Sequence, residues 1–192
     1  SSVLLVIALI GVWLVPDSKN TFVLEAKHGK LKIWSAACSM GEEPYSLVML
    51  LSEFLPFEDI KVIATDIDKE ALKKAKEGKY IKKSLKSLPE SYIINFFTMK
   101  DGFYLIDDKI KQCVEFRRHN LLMDVYPKDC HLIVCRNVMI YFTEETKSQL
   151  YVKFCESLEK EGILFVGSTE QILFPQRYDL KSIRTFFYMK IK

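Results

Sequence analysis

Three stretches of this chain end apolar runs with residues able to hold a ligand. The first is Ser35-Ala-Ala-Cys-Ser-Met-Gly41, followed at once by Glu42-Glu43-Pro44. Small residues let a backbone approach a ligand closely. Pro44 suits the start of a helix, where its missing N–H costs little. Glu42 and Glu43 then stand at a helix N-terminus, which favours negative charge. The same two carboxylates repel a phosphate. A dinucleotide or a nucleoside triphosphate is disfavoured, and a ligand with positive charge and no phosphate is favoured. The second stretch is Ala64-Thr-Asp-Ile-Asp68. An acidic residue after the second strand of a nucleotide-binding sheet commonly accepts hydrogen bonds from ribose hydroxyls. Asp66 is the better candidate, because Asp68 can cap the next helix; both aspartates as caps is the competing reading. The third is Cys135-Arg-Asn-Val-Met-Ile-Tyr-Phe142, a polar pair and then an aromatic pair after an apolar run. It reads as a site wall, although Tyr141 and Phe142 also suit a core.

These stretches need elements that bring them together. Leu31–Ser35, Lys61–Thr65, His131–Cys135 and Ile163–Val166 read as strands. Leu47, Val48, Leu51, Phe54 and Leu55 recur at helical spacing, as do Leu150, Tyr151, Phe154, Cys155 and Leu158 behind Thr143 as a cap. Ala71, Leu72 and Ala75 form the stripe of another helix, begun by Asp68 and stopped by Gly78. Gly162 is expected to end the helix that Thr143 begins. Between Lys79 and Phe116 the alternation breaks. Pro89–Phe97 looks helical, and Phe103–Ile106 with Ile110–Phe116 suggests a hairpin about Asp107-Asp108-Lys109. Tyr178–Ile191 reads as two terminal strands. The fold class expected is α/β: a doubly wound, mostly parallel sheet with an antiparallel terminal hairpin and a small inserted β-subdomain. In such sheets ligands sit at the carboxyl ends of the strands, where all three stretches fall.

The bulk properties narrow the class further. At 192 residues, 49% hydrophobic and 28% charged, the chain suits one folded domain with an insert. A net charge of +3 makes no case for nucleic acid. Five cysteines without a Cys-x-x-Cys pair point away from a disulfide framework and toward a cytoplasmic setting. Cys130, His131 and Cys135 lie inside an apolar run that reads as a buried strand, so no metal is expected. Residues 1–30 form an atypical N-terminal segment. Its apolar run Val3–Val15 is too short to cross a bilayer, which takes roughly 20 residues. A core strand or helix, the tail of a membrane helix, or a fragment boundary all remain open for it.

The sulfonium and amino group of S-adenosylmethionine meet the description of a cationic, phosphate-free ligand. The segments Ile33–Ser46, Ala64–Asp68, Asn120-Leu121, Cys135–Phe142 and Gly162–Glu170 also fall in the order and spacing of the chemotaxis receptor methyltransferases of the CheR type. The chain resembles that family from Leu31 to its C-terminus. The resemblance implies a Rossmann-like methyltransferase domain over residues 31–192, with its insert at about 79–116. It implies S-adenosylmethionine as cofactor, with Glu42 and Asp66 as ligands and Asp66 on the ribose. Asn120 and Leu121 would flank the adenine, and Arg136 and Asn137 would line the cofactor near the transfer centre. It further implies methyl transfer to glutamate side chains on the cytoplasmic helices of chemoreceptors; the expected form is a monomer that meets the membrane only through the receptor, unless Val3–Val15 is a membrane remnant.

Such a reaction needs little acid–base chemistry. A glutamate carboxylate is ionised at pH 7, with a reference pKa of about 4.3, and attacks without a general base. Positioning and desolvation then carry catalysis. Arg136 either orients the incoming carboxylate or braces its loop, and Tyr141 is a candidate for the acceptor channel. Lys69, Lys73, Lys74, Lys76, Lys79, Lys82, Lys83 and Lys86 make a basic run. It is either a solvated face or a surface that attracts an acidic receptor helix. Members of the family carry a threonine–phenylalanine–phenylalanine–arginine motif ahead of the first strand. Asn20-Thr-Phe-Val-Leu24 only echoes it, which leaves a non-catalytic cofactor- or receptor-binding module as the alternative.

Overall fold

The computed structural model describes residues 31–167 and 170–192. The apolar run Val3–Val15 and the Asn20–Leu24 echo lie outside the described residues. The large sheet has seven strands: β1 (Ile33–Ser35), β2 (Val62–Asp66), β6 (Val114–Arg118), β7 (Cys130–Cys135), β8 (Leu158–Val166), β9 (Leu180–Arg184) and β10 (Phe187–Lys190). Their order is β6-β2-β1-β7-β8-β10-β9. The first five are mutually parallel, and β10 runs antiparallel between β8 and β9. The order reverses between β1 and β7, so the carboxyl end of β1 is the topological switch point.

Alternation along the strands builds two cores. Ile33, Val62, Leu132, Val134 and Phe165 point to one side of the sheet, where α1 (Glu42–Leu51) and α2 (Lys69–Glu77) pack. Trp34, Ile133, Cys135, Leu164 and Val166 point to the other, where α5 (Glu144–Ser157) lays down Leu150, Tyr151 and Phe154. A period-2 strand buried on both faces is what a parallel sheet covered by helices demands. The caps are local. Asp68 accepts N–H bonds from Glu70 at 2.8 Å and Ala71 at 3.2 Å, and Thr143 accepts from Thr146 at 3.3 Å.

Two expectations fail here. The helix opened by Thr143 ends at Ser157, not at Gly162. Leu158 is already extended; it starts β8 and pairs with Cys130 of β7. Gly162 serves instead as a close-approach site: a side chain there would meet the Cys130 and Glu159 carbonyl oxygens at 2.8 Å. The hairpin about Asp107-Asp108-Lys109 is also absent. Asp107 caps a short helix, α4 (Asp108–Gln112), by accepting the Lys109 N–H. Its second expected strand is β6, which joins the large sheet beside β2.

The hairpin lies one step earlier, between β4 (Phe97–Lys100) and β5 (Phe103–Ile106). Asp101 and Gly102 both take positive φ, as a two-residue turn of this kind requires. With β3 (Lys79–Tyr80) these strands form a three-stranded antiparallel sheet, β3-β5-β4. The helix α3 (Glu90–Phe96) leads into β4. The small sheet is tied to the large one by the Tyr80 hydroxyl, which donates to the Met40 carbonyl at 2.9 Å.

Candidate functional site

The loop after β1 turns beneath a ligand-sized space because Gly41 can adopt φ 90°. A Cβ there would lie 3.0 Å from the Ala75 Cβ and 3.2 Å from the Tyr45 and Tyr80 rings or hydroxyl. Glu42 and Glu43 follow in the first turn of α1, both oriented by that turn. They line a cavity of about 830 Å³ together with Asp66, Arg136, Asn137 and Tyr141. That volume is within the range of small-molecule sites. The cavity therefore joins the carboxyl ends of β1, β2 and β7.

Two carboxylates on this wall, Asp66 and Glu43, are held by neighbouring groups. Asp66 accepts the Ser39 N–H at 2.8 Å on one oxygen and the Asp68 N–H at 3.0 Å on the other. A carboxylate has about four acceptor positions, so capacity for a ligand remains. Glu43 accepts the Ser35 hydroxyl at 2.7 Å and lies 3.8 Å from the Arg136 guanidinium. Burial pushes Glu43 up to about 7, against the opposing pull of the Ser35 hydroxyl and Arg136; Glu170 adds to the rise. Burial also raises Glu42 above the usual carboxylate range. Cys38 is raised far more, by burial and then by Asp66, so it stays a neutral thiol and no thiolate nucleophile faces the cavity.

Arg136 is 8% exposed, and its guanidinium lies 5.7 Å from the centre of the Phe165 ring. Asn137 takes φ 58°, a strained turn fixed by Glu170. The Glu170 carboxylate accepts N–H bonds from Asn137 at 2.9 Å, Met139 at 2.7 Å and Gly167 at 2.9 Å. Gly167 is needed there, because a Cβ would run into the Glu170 carboxylate. Tyr141, in contrast, is 78% exposed at the cavity.

Glu42, Asp66, Arg136, Asn137 and Tyr141 are thus brought together. Asn120 and Leu121 are not on this cavity's lining. They follow β6, whose end is joined to β2 by the His119 N–H on the Asp66 carbonyl at 2.9 Å. The Asn120 side chain turns back to accept the Leu122 N–H at 2.9 Å, and Leu121 is buried against the Trp34 side of the sheet. Sequence reasoning missed Glu170 as a loop clamp and Glu43 as the partner of Arg136. It also missed the cavity lining supplied by Lys83, Ser84, Lys86 and Ser87. His131 is occupied structurally, accepting the Lys32 N–H at 3.1 Å. Among the described residues, no group of three or more His, Cys, Asp or Glu is placed to hold a metal ion.

Three carboxylates around the helix N-terminus at the switch point fit a cationic ligand without phosphate. A doubly wound sheet with a cavity at its switch point defines the class, an α/β ligand-binding domain. Comparison with known proteins narrows the class. Residues 17–187 match the CheR methyltransferase, SAM binding domain, and the chain belongs to that family. It is 46% identical over 168 residues to the "Chemotaxis protein methyltransferase" of Listeria monocytogenes, covering 88% of this chain and 64% of that protein. It is 37% identical over 152 residues to the protein of the same name from Escherichia coli, covering 75% of this chain and 53% of that one. The chain therefore spans between about half and two thirds of the length of these relatives. Among the described residues no helix is long and apolar enough to cross a membrane.

Proposed function

We propose that the chain is a protein-glutamate O-methyltransferase, moving a methyl group from S-adenosylmethionine to glutamate side chains of chemoreceptors in chemotaxis adaptation. The observation that carries this reading is the acidic wall of Glu42, Glu43 and Asp66 where the sheet order reverses. It disfavours phosphate ligands and suits the cofactor of the family. The names of the relatives support chemotaxis as the setting.

S-adenosylmethionine, when bound, supplies a methyl group activated by its sulfonium. Asp66 is assigned to the ribose hydroxyls and Glu42 to the cofactor beside it. Arg136 and Asn137 line the cofactor near the transfer centre, and Asn120 with Leu121, at the neighbouring strand end, is assigned to the adenine. Arg136 lies beside Glu43 and is assigned to orient the incoming carboxylate. Tyr141 stands at the exposed side, where an acceptor must enter. No side chain needs to remove a proton, since the acceptor is already ionised. The chain's contribution is position and exclusion of water. The chemoreceptor partner, a cytoplasmic location and a monomeric state belong to the same reading.

The test is incubation with labelled S-adenosylmethionine and cytoplasmic receptor fragments. Base-labile methyl esters on the fragments are expected. Cofactor binding with no ester formed would overturn the enzyme reading in favour of a binding module.

A further inference from the structure

The basic run is divided by the fold. Lys69, Lys73, Lys74 and Lys76 lie on the exposed face of α2, and Lys79 sits 3.9 Å from the centre of the Phe103 ring. Lys83 and Lys86 alone among the eight line the 830 Å³ cavity. They belong to a single 3₁₀ turn, Lys82–Leu85, with Lys86 as its C-cap. Side chains at i and i+3 eclipse in a 3₁₀ helix. Leu85 is therefore buried with Leu88 packed on the same core, while Lys83 with Lys86 and Ser84 with Ser87 face the cavity as two pairs.

This arrangement places two like charges on one face of one turn. Neither lysine forms an ion pair with any described residue. Like charges on one face oppose each other. The rest of the cavity carries three carboxylates and one guanidinium, and that guanidinium is already beside Glu43. Any anion entering the cavity meets net repulsion from Glu42, Glu43 and Asp66. Beyond Arg136, the cations on the lining that offset this are Lys83 and Lys86, with the Ser84 and Ser87 hydroxyls as further donors.

We propose that Lys83 and Lys86 form a carboxylate-binding wall of the cavity. The inference rests on the methyltransferase reading for its ligands, in which two carboxylates are available. One is the acceptor glutamate; the other is the amino-acid end of the cofactor. Both present the same chemistry, and affinity measurements separate them.

The variants are Lys83→Gln/Lys86→Gln, its charge-keeping counterpart Lys83→Arg/Lys86→Arg, and a control, Lys160→Gln/Lys181→Gln. The control removes two exposed cations that do not line the cavity. Calorimetry gives the dissociation constants of S-adenosylmethionine and of 5′-methylthioadenosine, which lacks the amino-acid end. Fluorescence titration gives the affinity for an acidic receptor fragment, and methyl transfer gives its KM. If the wall holds the cofactor carboxylate, the Gln pair weakens S-adenosylmethionine at least about fivefold and leaves methylthioadenosine unchanged. If it holds the acceptor, cofactor affinity is unchanged, while fragment affinity falls and its KM rises at least about fivefold. The Arg pair should restore most of either loss. Changes under about fivefold in both arms, or an equal loss in the control pair, overturn the proposal. A wild-type chain that forms no ester overturns the methyltransferase reading instead, and the three binding measurements still decide the lysine wall.

Discussion

The two sides of the cavity are built in different ways. The side at the ends of β1, β2 and β7 carries charged groups tied to neighbouring backbone or side chains. Asp66 is fixed by the N–H groups of Ser39 and Asp68, and Glu43 by Ser35 and Arg136. The side made by the inserted turn consists of exposed lysines on long stems, positioned only by the phase of one 3₁₀ turn. The difference teaches which side is preorganised. Groups on buried strands keep their geometry without a ligand, whereas free lysine side chains must be ordered by the ligand at an entropic cost. Substitutions on the strand side should therefore affect folding and binding together. Those on the insert side should affect binding alone.

The largest effect is expected at Glu170, which is 5% exposed and receives three backbone N–H bonds. Glu170→Ala leaves buried donors without a partner on two loops. Stability should fall by about 3–5 kcal/mol, the range for breaking a buried charged network. Urea denaturation measures it. A loss under about 1 kcal/mol would show that the Asn137–Met139 loop holds its own shape, and the strand side would no longer count as clamped.

Asp66→Ala comes next. It should weaken S-adenosylmethionine binding by more than about 1 kcal/mol, as for loss of a charged hydrogen-bond partner. The side chain also holds the β1 loop through the Ser39 N–H. Asp66→Asn separates the two roles, because the amide keeps an acceptor for one N–H and loses the charge. Unchanged cofactor affinity in a folded Ala variant removes the ribose assignment.

How far the sequence foretold these roles depends on whether the cause is local. Asp68 and Thr143 act as caps through N–H groups two and three residues away, and both were readable. The strands were readable because β7 and β8 are buried on both faces and carry apolar runs. The hairpin was misplaced although its signal was present: Asp101-Gly102 is the stronger turn pair, and Asp107-Asp108-Lys109 instead opens a helix. Gly162 read as a helix stop because the approach of the Cys130 carbonyl depends on the pairing of β7 with β8. Glu170 was hidden for the same reason. Two of its three partners lie more than thirty residues away and reach it only through the sheet order. The run of lysines had no internal mark of which two face the cavity, since that choice follows from the chain leaving α2 at Gly78 and starting a separate turn at Lys82.

Glu43 tests the strand side through pH. Its carboxyl is raised to about 7, so it gains a proton as pH falls through neutrality. An unfolded glutamate titrates at about 4.3, so between about 4.3 and 7 the folded chain binds more protons. This group's contribution to stability therefore falls as pH rises across that window, and is flat above and below it. Cofactor binding runs the other way. A cationic ligand prefers the ionised carboxylate, so affinity should fall by up to about tenfold per pH unit below 7. Glu43→Gln should flatten the profile between pH 6 and 8. Calorimetry at several pH values checks it, and an unchanged slope would assign the pH dependence to another group.

Tyr141 gives the smallest expected change and probes the boundary between the two sides. It lines the cavity from the β7 loop, yet it is 78% exposed. By sequence position it belongs to the preorganised side, and by exposure it resembles the lysine turn. Exposed positions away from buried networks usually change stability by less than about 0.5 kcal/mol, so Tyr141→Phe should leave the unfolding midpoint in place. S-adenosylmethionine affinity should also stay within twofold, while the KM for a receptor fragment rises. That pattern would make exposure, not the element that carries a residue, the property that separates holding the cofactor from admitting the acceptor. A loss of cofactor affinity in Tyr141→Phe would instead place the hydroxyl with Asp66 and Arg136 on the cofactor side.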